Sequence, residues 1–251
     1  IAGLVDGGPA LHRSSSSSSS SPASLAEAAE RGSTTESVTS DDDATITAST
    51  TIHDDAADGL IDIFALDAFL TAGTGIGTTS SLDIRVTTVT AVTTSGPIDI
   101  DSFAITGVTA TNLQVTVGAG AIQFDQTGNQ TLLVSSASTA NGNIVISNAG
   151  ATLTLNTVTA GGAGDITGTT TIASDIAVNN LIALGDEIFL GAAGAILESG
   201  ADAAADLTAA GVSLAASTGI GSLAFIETAT SLLEAFNSTS GNIQLDNTVA
   251  G

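Results

Sequence analysis

Apolar and polar side chains alternate in short runs through most of this chain. Ile98-Asp99-Ile100-Asp101, Leu113-Gln114-Val115-Thr116-Val117 and Leu153-Thr154-Leu155 each send one set of side chains to one face and the rest to the other. That is the period-two signature of a β-strand with one buried face. Gly, Asn and Asp punctuate the runs and supply the backbone conformations that tight turns need. From Ala44 onward this text is continuous, and it predicts strands and turns without helices.

Two periods are superimposed on the alternation. Gly142-Asn143-Ile144, Gly164-Asp165-Ile166 and Gly185-Asp186-Glu187-Ile188 space their isoleucines by 22 residues; Ile122 and Ile98 extend the series backward and Val212 extends it forward. A step of that length suits one coil of a parallel β-solenoid with two or three short strands per turn. Ile98, Ile122, Ile144, Ile166 and Ile188 are therefore expected to form one inward-facing column, preceded by a ladder of equivalent Gly and Asx turns. Ser213 to Asn242 is expected to hold an irregular or double coil.

The longer period is 144 residues. Thr74-Gly75-Ile76-Gly77 recurs as Thr218-Gly219-Ile220-Gly221, and at the same offset Ile52 meets Ile196, Asp58 meets Asp202, Asp62 meets Asp206 and Leu70 meets Leu214. After a slip of one residue Gly96, Ile98 and Asp101 meet Gly241, Ile243 and Asp246. The second copy stops inside a coil, so the stretch reads as a window on a longer array.

Residues 1–43 differ. They carry the serine run Ser14 to Ser21 and the acidic triplet Asp41 to Asp43, and they predict a mostly irregular leader. Within it Ser24-Leu25-Ala26-Glu27 has the capping-box pattern, which points to a short helix over 24–31. The expected organisation is thus a leader, 1–43, followed by solenoid repeats, 44–251.

Composition narrows the chemistry. Among 251 residues, 26 Asp and Glu face three Lys and Arg, for a formal net charge of -23. Such a surface repels phosphate backbones and anionic membranes, so neither nucleic acid binding nor membrane insertion is expected. Aromatic residues make up 3% and Cys, Met, Trp and Tyr are absent, so Ala, Val, Ile, Leu and Thr must fill the core, and thiol chemistry is excluded.

Ser217-Thr218-Gly219-Ile220-Gly221, Glu227-Thr228, Ala235-Phe236-Asn237 and Ser240-Gly241-Asn242-Ile243, with the equivalent runs Gly73 to Gly77, Thr88 to Thr94 and Ser95 to Ile100, resemble the repeat regions of giant bacterial surface proteins of the filamentous-haemagglutinin-like kind. The resemblance covers about Ala44 to Gly251. It implies a right-handed β-helix, an extracellular or cell-surface location, self-association into fibres or end-to-end contacts with further repeats, and contact with surface glycans.

Catalytic machinery is thin. His53 precedes Asp54 and Asp55, but no nucleophile held in a triad context accompanies it. Asp99 with Asp101, and Asp186 with Glu187, are the acid pairs a polysaccharide-active β-helix enzyme would use, yet a lone Arg85 in the repeat zone offers little for an acidic sugar. The expectation is a structural or adhesive fibre component, with no catalytic residue and no required cofactor. The acids Asp54, Asp55, Asp58 and Asp62 form the candidate calcium site, since hard cations take several oxygen ligands from such loops. Gly161-Gly162-Ala163-Gly164 opens like the calcium-binding nonapeptide, but Ile166 stands where its aspartate belongs.

Overall fold

The computed structural model describes residues 23–25, 33–35, 38–54, 59–200 and 202–248. Each strand hydrogen-bonds to the strand one coil away rather than folding back on its chain neighbour. Ile98–Ser102 pairs in parallel with Ile122–Gln126, which pairs with Ile144–Asn148, which pairs with Ile166–Thr170. The result is a parallel β-solenoid of about nine turns, and no helix occurs among the described residues.

The column of isoleucines is present. Ile52, Ile76, Ile98, Ile122, Ile144, Ile166, Ile188, Val212 and Leu233 are successive register partners. The isoleucines and Val212 are buried, and Leu233 is partly buried against the same core. Stacking like on like at about 4.8 Å per coil fills a narrow interior without voids, which is why small and β-branched residues suffice. Among the described residues Phe124 is the one phenylalanine in the core, whereas Phe64, Phe69, Phe189, Phe225 and Phe236 are exposed.

The turns ahead of this column also stack. The side-chain oxygen of Asn143 accepts the Asp165 N–H at 3.0 Å, and Asp165 in turn accepts the Glu187 N–H at 3.1 Å, so one coil's corner residue caps the next. Beside them Gly96, Gly120, Gly142 and Gly164 lie so close to the preceding coil that a β-carbon would stand 1.5 to 2.5 Å from its carbonyl oxygens. Only glycine fits such an approach.

Two expectations are corrected. Val212 and Leu233 are direct register partners, so the stretch after Ser213 begins with a single ordinary coil and no double one. Ala23–Leu25 is a strand paired with Ala44–Ile46, where the capping-box pattern placed the start of a helix; 26–31 lie outside the described residues. Strand pairing also reaches upstream of Ala44, because Ser33–Thr35 and Val38–Thr39 pair with Thr51–Asp54 and Ile63–Phe64. The alternation of side chains is a weaker signal in such two- and three-residue strands than in the five-residue strands further on.

Glycines 144 residues apart share their backbone geometry. Gly75 and Gly77 have φ of 147° and 66°, and Gly219 and Gly221 have 140° and 64°. The two copies of the long repeat occupy exchanged sides of the rod. Ile52, Ile76 and Ile98 begin the long isoleucine column, but their counterparts Ile196, Ile220 and Ile243 belong to the opposite column with Leu132, Leu153 and Ile176. The repeat therefore spans a half-integral number of coils.

Candidate functional site

Carboxylates gather where the chain leaves the regular coils. Asp54 ends the strand Thr51–Asp54 on the same side as the buried Ile52, and Asp62 immediately precedes Ile63–Phe64; both are buried. Asp62 Oδ2 accepts the backbone N–H of Asp83 at 2.8 Å, and Asp54 Oδ2 accepts the Ser80 hydroxyl at 3.2 Å. The other two residues of the expected calcium site, Asp55 and Asp58, lie outside the described residues.

A second, equivalent set stands 144 residues further on. Glu198, Asp206 and Glu227 offer carboxylate oxygens that all lie within 4.8 Å of one another. Asp206 Oδ2 accepts the Glu227 N–H at 3.1 Å, repeating the contact between Asp62 and Asp83. Glu198 also accepts the Asp202 N–H at 2.8 Å. Burial pushes the Asp206 carboxyl up to about 7; the backbone N–H of Glu227 opposes the shift, and the charges of Glu198 and Glu227 add to it. One Glu227 oxygen, Oε2, is buried without a hydrogen-bond partner among the described residues. Glu198, Asp206 and Glu227 could hold one hard cation or share a proton.

From each set the acids continue along the outer face. Asp83, Asp101 and Asp125 are register partners on successive coils, and Glu227 pairs with Asp246 in the same way. Hydroxyl and amide donors temper this like-charge stack: Ser81 donates to Asp101 and Gln123 to Asp125, each at 2.8 Å, and Ser147 also donates to Asp125. Asp99 and Asp101 share a face, as the alternation requires, but Asp99 is pushed up to about 6 by burial and then by the charges of Asp101 and Asp125.

The remaining candidates do not converge. The His53 ring approaches the Thr51 hydroxyl at 3.4 Å, and it points away from Asp54 because neighbours on a strand face opposite ways. Arg85 donates its Nε–H to the Phe103 carbonyl at 3.2 Å. Asp83, Glu198 and Glu227 were not singled out as ligands from the sequence. The offset of 144 carries the signal, since it maps Asp54, Asp62 and Asp83 onto Glu198, Asp206 and Glu227, acid onto acid.

The fold and these surfaces define a parallel β-solenoid repeat protein. Comparison with protein-family models, curated proteins and solved structures gives no match for the chain.

Proposed function

We propose that this protein is a structural rod, a module of an extracellular or cell-surface fibre of the filamentous-haemagglutinin-like kind, and that it is not an enzyme. The observation that carries the reading is the unbroken stack of like on like: Ile76, Ile98, Ile122, Ile144, Ile166 and Ile188 are buried register partners on successive coils. Such a stack is stiff along its axis, and its parallel strand edges suit pairing with further coils of the same kind.

Sedimentation velocity and electron microscopy over a concentration series test this. Rods of about 43 Å, from nine coils at about 4.8 Å each, should give way to end-to-end multiples as concentration rises. Leu233→Glu with Leu245→Glu should restrict the protein to single rods. A species that stays monomeric at every concentration overturns the reading.

A further inference from the structure

The outer face of the last three coils is not flat. Its outward positions form a grid: Glu187, Gly211 and Leu232 are register partners, as are Phe189, Ser213 and Glu234, and then Gly191, Ala215 and Phe236. The middle row, Gly211, Ser213 and Ala215, is small throughout, while large side chains stand on both flanking rows. A groove therefore follows the middle strand. Its two depressions have volumes of about 340 Å³ and 270 Å³. From 211 to 217 it runs for about 20 Å between strands about 9.5 Å apart.

Each wall carries the same step, an acid followed two residues later by an aromatic: Glu187 and Phe189 on one side, Glu234 and Phe236 on the other. Register staggers the two steps, because Glu234 lies level with Phe189 and not with Glu187. The Glu187 carboxylate leans inward, reaching within 3.7 Å of where a β-carbon on Gly211 would be. Phe189 and Phe236 are 42% and 64% exposed, large apolar surfaces for a monomer to leave in water.

We propose that this groove binds a linear amino-sugar oligosaccharide carrying free amines. Sugar rings present apolar C–H faces that suit the two phenylalanines, and their polar groups radiate toward a rim. An extended peptide lying here would find no partners for its backbone, because the strand N–H and C=O groups below are engaged in the ladder. The charge is complementary: two carboxylates with no basic residue among the lining groups, on a chain of net charge -23, attract ammonium and repel acidic sugars. In a β-1,4-linked chain successive amino groups project to opposite sides, as the staggered glutamates require.

The test titrates the whole chain with a glucosamine hexamer at pH 6, followed by calorimetry and by backbone amide NMR. Saturable binding with shifts centred on Gly211, Ser213 and Ala215 is expected. Glu187→Gln with Glu234→Gln should weaken it at least tenfold; net charge changes only from -23 to -21, so general attraction of a polycation would survive. Ser213→Trp, which fills the floor and leaves both acids, should also abolish binding. Equal affinity of the double glutamine variant, of the fully N-acetylated hexamer or of a lysine heptapeptide overturns the proposal. Rod assembly, read by sedimentation, is independent of these variants, so the two proposals fail separately.

Discussion

The carbonyl oxygen of Gly120 lies 2.3 Å from where a β-carbon on Gly142 would stand. At this corner each coil rests on the backbone of the one before it, with no side chain between. Gly142→Ala should force these coils apart and cost about 3 kcal/mol, seen as a lower midpoint in urea. A variant as stable as the parent would show that the corner relaxes freely.

The isoleucine column makes a paired prediction. Ile144→Asp buries a carboxylate with no partner in an apolar stack and should cost about 4 kcal/mol or prevent folding. Asp99→Asn, on the outer face, removes a carboxyl that burial and the charges of Asp101 and Asp125 already disfavour. At neutral pH it should leave the unfolding midpoint unchanged or raise it.

Acid should stabilise this protein over a range in which many others weaken. Asp99 and Asp206 are raised from 3.8 to about 6 and about 7, so folding favours their protonated forms. Their contribution is fully present below about pH 4 and is lost as pH rises through those values. The melting temperature should therefore be higher at pH 5 than at pH 8. In Asp206→Asn the difference should shrink; an identical profile would show that Asp206 ionises normally.

Gln126 is fully buried on the inner face, and neither end of its amide has a hydrogen-bond partner among the described residues. Asn148, its register partner, donates to the Ala151 carbonyl at 2.9 Å and accepts the Gly150 N–H at 3.1 Å. Gln126→Leu should stabilise by about 1 kcal/mol, whereas Asn148→Leu should destabilise. Loss of stability in the first variant would mean that the Gln126 amide is satisfied in solution.

Much of this architecture was legible because a solenoid writes its contacts as a period. Ile122 and Ile144 touch because they are one coil apart, so spacing alone located the core and its glycine corners. The carboxylate set was harder to read. Asp206 meets Glu198 and Glu227 through an irregular loop and a neighbouring coil, and no short motif joins them. The groove along Gly211, Ser213 and Ala215 was invisible for a related reason: its walls come from strands on either side, and only the register aligns them. The helix expected at 24–31 failed at Ser24 and Leu25 because pairing with Ala44–Ile46 outweighed a local capping pattern.

The exchange of sides between the two long repeats has a mechanical meaning. Equivalent features, such as the carboxylate sets at Asp62 and Asp206, face opposite directions across the rod. A tandem array with this step would present each feature alternately on its two sides, as a double-sided strip rather than a comb.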